Sequence, residues 1–243
     1  MPHITGFVQA AGAELFSSSA TRYHGLGEVG MSKDGRFFRY VKAGASALVV
    51  GNALQSRVED TDHDNVAVRA TAAGATALLI TTGSGNGALD ANEYADGYAV
   101  VDTTPGLGYT YRIAQHAAIA ASTDGTLNLY EEDAVQVALT TSSKVTLVKS
   151  PYDGVIQHPV TTATGVTVGG AIYPVTAAEY GWIQSGGPGA GLIAGTPAAG
   201  QPVTAVGAVA GALTVHSAEL SNVAYMMVTG RDTKVLPVFW LCY

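Results

Sequence analysis

The chain has 243 residues, 47% of them hydrophobic, enough to fill a substantial core without disulfide staples. Its formal charge of −7 leaves 12 basic residues scattered along the chain, which argues against a partner whose phosphates must be neutralised. The single cysteine, Cys242, excludes an intramolecular disulfide and predicts manufacture in a reducing cytoplasm.

No charged, apolar and cleavable leader opens the sequence, and no apolar run approaches the ~20 residues that cross a bilayer, so neither classical export nor a membrane partner is expected. Charged residues are only 13% of the chain and glycines number 30, a balance that suits a protein packed against neighbours.

Residues 1–24 mix isolated apolar residues with small polar ones, including Ser17, Ser18 and Ser19. They read as an extended arm that becomes ordered by lying on another surface. Residues 25–54 follow as a β-hairpin signature: Asp34-Gly35 supplies the positive φ angles of a tight primed turn in front of the β-prone run Phe37, Phe38, Arg39, Tyr40, Val41. Asp96-Gly97, Asp124-Gly125 and Asp153-Gly154 repeat this grammar, so short strands joined by turns are expected throughout.

Residues 66–80 are ambiguous, because alanines favour helix while Gly74 and the β-branched residues oppose it. Residues 114–121 are the other candidate for a short helix. Alternation puts Tyr109, Tyr111 and Ile113 on one strand face opposite Thr110 and Arg112, and puts Val135, Val137 and Leu139 opposite Gln136 and Thr140. Pro151, Asp153-Gly154 and Pro159 mark a junction. Residues 186–202, rich in glycine and proline, are expected to form only loops and short strands. The last run, residues 234–243, is apolar on both faces and should be buried, with Pro237 marking an edge or a bulge.

These elements predict an all-β protein, an antiparallel sandwich or barrel body with at most two short helices. Three regions are expected: an N-terminal arm (1–24), a β domain (25–150) and a second β-rich region packed on it (151–243).

The residues offer little that looks like an active site. Asp60, Asp62 and Asp64 have the alternate spacing that surrounds a hard cation, but Asn65 stands where an EF-hand loop needs glycine and Thr71 where it needs a bidentate glutamate. They are weak metal candidates, and a solvated acidic loop is the stronger reading. Glu131, Glu132 and Asp133 follow a strand, where consecutive carboxylates point to opposite faces and cannot flank a sugar as a glycosidase pair must. His3, His24, His63, His116, His158 and His216 show no ligand spacing.

Gly44-Ala45-Ser46-Ala47-Leu48 lacks the final glycine of a nucleophile elbow. The run 83–87 lacks the Lys-Ser/Thr of a phosphate loop. Cys242, between Leu241 and Tyr243, reads as a small buried hydrophobe. No enzyme and no cofactor are expected.

Three segments together carry a resemblance: GLGEVGMSKDGRFFRYVKAGASALVVGNALQS (25–56), NEYADGYAVVDTTPGLGYTYRI (92–113) and EYGWIQSGGPGAGLIAGTPAAGQPV (179–203). They are similar to the β-rich structural proteins of tailed bacteriophages, and the chain resembles their capsid decoration, or cement, proteins. No catalytic residue defines such a family. The resemblance implies a homo-oligomer, a trimer by preference, that binds the assembled lattice of the phage major capsid protein. It would stabilise the head as part of the virion surface after synthesis in the host cytoplasm.

An arm ordered on a neighbour and an apolar C-terminal run would supply the contacts, with Phe7, Leu15, Phe16 and Tyr23 in the first and Phe239 and Trp240 in the second. Two other readings remain: a tail or surface adhesin using the tyrosines of 94–98 and 109–111 to recognise host glycans, and a β-rich carbohydrate-active enzyme using Glu131, Asp133 or the Asp60 cluster.

Overall fold

A computed structural model describes residues 8–9, 12–84, 87–216 and 221–242. Regular structure among them is strand apart from three short 3-10 turns, Gly12–Phe16, Thr61–His63 and Glu131–Asp133. The all-β expectation holds, and neither candidate helix forms. Residues 66–80 contribute the strands Val66–Val68 and Ala77–Thr81, with Gly74 at φ +83° between them, and Thr110–His116 runs as a strand through the start of the other. Alanine propensity is worth only tenths of a kcal/mol per residue, and pairing on both sides outweighs it.

Two compact units are present, residues 59–150 and residues 1–58 with 151–243. The expected break at Pro151 falls where the first of these ends. The expected grouping of 25–150 does not match the contacts, because 25–58 belongs with the C-terminal region. Phe37–Lys42 pairs with Tyr180–Leu192, and Ala53–Gln55 pairs with Ile156–Gln157 and Thr167–Ala171. Local patterns mark a strand but carry no information about a partner more than a hundred residues away.

Residues 59–150 form a closed antiparallel barrel of six strands, in spatial order Asp124–Leu129, Ala77–Thr81, Val66–Val68, Lys144–Val148, Tyr98–Val101 and Thr110–His116, the last pairing back to the first. Closure leaves no free edge. The inward residues include Leu78, Ile80, Val101, Tyr111, Ile113, Leu127, Val145 and Leu147. The expected Tyr111/Ile113 face is therefore the core face, while Tyr109 ahead of the strand is 41% exposed. The second alternation forms no named strand: Val135 and Leu139 are buried, but Val137 is 38% exposed. A bridge from Leu139 to Thr71 and backbone hydrogen bonds of Val135 with Gly74 and Ala75 tie that segment to the barrel.

The other unit is a twelve-stranded sheet built around Tyr180–Leu192. This thirteen-residue strand runs straight into the segment expected to hold only loops and short strands. Its first half pairs with Phe37–Lys42 and its second with the C-terminal strand Val235–Leu241, the partners changing at Gly186. The glycines there do not break the strand, because they make room. A Cβ on Gly189 would lie 2.4 Å from Gln184 Oε1 and 2.9 Å from Trp240 Cδ1, and one on Gly170 would lie 2.2 Å from Trp240 Cζ2. Strand glycines here permit the close approach of an indole. Gln184 Nε2 donates to the carbonyls of Gly186, Gly187 and Pro188, holding the kink where the partners change.

The Asp-Gly pairs play four different parts. At 32–36 the Gly35 N–H donates to Ser32 O and the Ser32 N–H to Arg36 O, each at 3.0 Å, and only Gly35 has positive φ. This is the three-residue hairpin loop ending in a left-handed glycine, rather than the expected two-residue primed turn. At 96–97 the aspartate takes the positive φ, and at 153–154 the glycine does. Asp124-Gly125 lies inside a strand, where a Cβ on Gly125 would come 2.2 Å from Ile119 Cδ1.

Candidate functional surfaces

The expected arm is largely docked on its own chain from residue 12 onward. Leu15, 4% exposed, packs with Phe38, Tyr40 and Trp182. The Trp182 Nε1–H donates to Glu14 Oε1 at 3.2 Å, and His24 Nε2 meets the same oxygen at 2.5 Å. Ser18–Ser19 adds to the start of the long strand, and Ser18 Oγ donates to Glu179. The apolar residues of 12–24 lack a period because Leu15 alone among them is buried.

Leu15 is therefore core, whereas Phe16 at 52% and Tyr23 at 72% exposed are free to meet a partner. Phe7 lies outside the described residues.

At the other terminus the expectation of burial on both faces gives way to alternation. Leu236, Val238 and Trp240 point into the core, and Val235, Pro237 and Phe239 point outward. Trp240 is fully buried, which removes it from any interface, while Phe239 is 37% exposed. Pro237 sits at the end of the ladder with Ala224–Met226, where the Met227 N–H donates to Pro237 O at 3.2 Å and the proline has no N–H to return the bond.

The outward residues line up across the sheet. Phe239 is paired on one side with Pro188 and on the other with Tyr225, and Tyr225 is paired with Pro202. Val235, Tyr225 and Met227 are each more than 40% exposed around this row. One sheet face thus presents a continuous apolar row over four strands. Sequence inspection found Phe239 but missed its neighbours, which come from three separate segments.

In the barrel unit the acidic loop does not gather around a cation, and no cluster of three potential metal ligands occurs among the described residues. Asp62 and Asp64 are exposed. Asp60 instead accepts a hydrogen bond from Lys149 Nζ at 3.1 Å, and Glu93 Oε1 accepts from the same ammonium at 2.6 Å.

The Lys149 side chain is only 7% exposed and its ammonium lies 5.2 Å from the centre of the buried Tyr94 ring. Burial alone would push both carboxyls up, but the Lys149 hydrogen bond, the backbone N–H of Asp62 or Asp90 and the Lys149 charge together outweigh it and hold both below the usual carboxylate range. Asp60 and Lys149 lie at the two chain ends of the unit, so this ion-pair network fastens its entry to its exit.

Around it, His63 Nδ1 meets Tyr94 Oη at 2.6 Å and the Tyr94 N–H donates to His116 Nε2 at 3.0 Å. Because His116 Nε2 accepts, its proton sits on Nδ1, which faces Ala117 O at 2.9 Å. Sequence reading listed Asp60 and both histidines but had no signal for Lys149 or Glu93 as partners.

Glu131 and Glu132 are exposed on a 3-10 turn, and Asp133 accepts from the Arg112 N–H at 3.2 Å. They form the hydrated turn that was expected. Of the tyrosines a glycan site would use, Tyr94 and Tyr111 are buried, leaving Tyr98 and Tyr109 partly exposed.

No family model, no curated protein and no solved structure matches this chain. The burial of Cys242 pushes its thiol up to about 12, which suits a packing residue rather than a nucleophile. No helix among the described residues is long and apolar enough to cross a membrane.

Proposed function

We propose that this chain is a structural virion protein, a capsid decoration protein that binds the assembled lattice of a phage major capsid protein and stabilises the head. The observation that carries the reading is the apolar row Pro188, Phe239, Tyr225 and Pro202, presented by a sheet whose other face is filled by Trp240 and its neighbours. Contiguous exposed apolar surface on a folded domain marks an interaction face. Phe16 and Tyr23, exposed on the docked N-terminal segment, offer further contacts. A ligand of the closed lattice stabilises it by mass action, and repeated weak contacts on identical capsomers add through effective concentration. A homotrimer, which would present three such faces at once, fits this use.

The test is co-sedimentation of the chain with expanded, undecorated capsids, alongside gel filtration with unassembled capsid subunit. Saturable binding to particles with little binding to the free subunit is expected, together with a higher temperature of particle disruption. Phe239→Lys and Tyr225→Lys should keep the fold and weaken attachment. Binding to neither form, or equally to both, would refute the reading and favour a host-recognition role, checked by binding to intact cells.

A further inference from the structure

The unit formed by residues 1–58 and 151–243 carries an open cleft of about 420 Å³ lined by Lys42, Arg57, Asp153, Gly44, Gly154 and Ile156. Among the described residues no carboxylate lies within ion-pair distance of either cation, although Asp153 shares the cleft. The stem of Arg57 lies against Gly154, its Cβ and Cδ 3.6 and 3.7 Å from where a Cβ on that glycine would stand. Gly154 itself needs its freedom, at φ +72°. Lys42 Nζ is 5.8 Å from the centre of the Tyr180 ring. By contrast Arg36, Arg69 and Arg112 each meet an aspartate, at 2.9, 2.8 and 3.1 Å.

Small residues, Ala43, Gly44, Ala45, Gly154 and Ala178, make up much of the rest of the lining. A Cβ on Gly44 would come 3.0 Å from Ile156 Cγ2 and 3.1 Å from Gly154 O, so a glycine there lets these two walls of the cleft meet closely. Lys42 and Arg57 are half-buried, and the Arg57 stem packs against Gly154, so an incoming anion meets a guanidinium whose stem is already ordered.

We infer that this cleft binds the carboxylate of an acidic protein segment, with the Arg57 guanidinium as its fork and the Lys42 ammonium as a second charge. Arg matches a carboxylate with paired N–H donors, and Lys adds a point charge. A polyphosphate backbone is the poorer fit, because it needs a run of cations along its length and this cleft offers two. The acidic segment belongs to the capsid shell, and that part of the inference rests on the decoration reading.

The test titrates the full chain with the blocked tripeptide Glu-Asp-Glu, and with Gln-Asn-Gln as control, following backbone amide shifts. Shifts confined to the amides around Gly44, Arg57 and Gly154, weakened by salt and absent with the neutral peptide, are expected. Lys42→Gln with Arg57→Gln should weaken binding by about tenfold or more, since each removes a charge-assisted hydrogen bond. Lys33→Gln, on the exposed hairpin turn, should not, and unchanged melting confirms that the variants fold.

Shifts that are absent, scattered or insensitive to the double variant overturn the site. If the peptide binds as expected but the parent chain ignores capsids, the carboxylate site stands and the decoration reading falls. If parent and double variant attach to capsids equally, the cleft is overturned as a shell contact while decoration stands.

Discussion

Replacing Lys149 by methionine keeps the length and apolar stem of the side chain and removes the charge that neutralises Asp60 and Glu93. The Lys149 side chain is 7% exposed, and the side chains of its partners Asp60 and Glu93 are 28% and 20% exposed. Removing one member of a fully buried pair costs about 3–5 kcal/mol because the remaining charges lose their partner; residual hydration of these carboxylates places the loss near the lower end, about 3 kcal/mol. For a barrel of this size, about 10–20 °C of melting midpoint is at stake.

The pH dependence gives the sharper signature. Both carboxyls are held below their ordinary range in the fold, so the stability they contribute is present above the unfolded carboxylate pKa of about 4 and is lost as pH falls through the folded values. Without Lys149 both carboxyls rise from these values, so protonation costs the variant less than the parent. The gap between parent and variant is therefore wide at neutral pH and narrows in acid.

Native-state hydrogen exchange of the barrel amides measures it at each pH, while fluorescence of Trp182 and Trp240, the only tryptophans and both in the other unit, reports that unit separately. A loss under about 1 kcal/mol, the range of surface pairs, or a gap that does not change with pH, would refute the assignment of Lys149 as the fastener of the barrel.

Gly170→Ala should destabilise the large sheet by about 1–3 kcal/mol, because its Cβ would fall 2.2 Å from Trp240 Cζ2 in a packed core; denaturant melts followed by tryptophan fluorescence check this. Deleting residues 1–24 should destabilise the same unit, in contrast to the free arm anticipated from sequence, since burial of Leu15 alone contributes about 1.5–3 kcal/mol; deleting only 1–11 removes none of these contacts, and the two truncations are compared by thermal melts. Cys242 should resist iodoacetamide at pH 8 in the folded protein and react after denaturation, because its thiol is pushed up to about 12; intact mass measurement follows the labelling.

Local chemistry was sufficient for much of this protein. The hairpin around Gly35, the core face of Tyr111 and Ile113, the hydrated turn at 131–133 and the all-β class follow from turn residues and two-residue alternation, which report on neighbours in the chain. The apolar C-terminal run and the glycine-rich segment misled for one reason: each was weighed without the strand beside it. Phe239 and Trp240 are equally apolar, and only the sheet decides which is core and which is surface.

Gly170 and Gly189 look like breaks in a strand until the Trp240 indole is laid against them. The Lys149 network and the Lys42–Arg57 cleft draw on residues far apart in the chain, so no spacing rule could find them. Alternation and turn chemistry act over a few residues and are written in the sequence. Pairing, close approach and the meeting of charges depend on which distant segments fold together, and only the tertiary structure decides that.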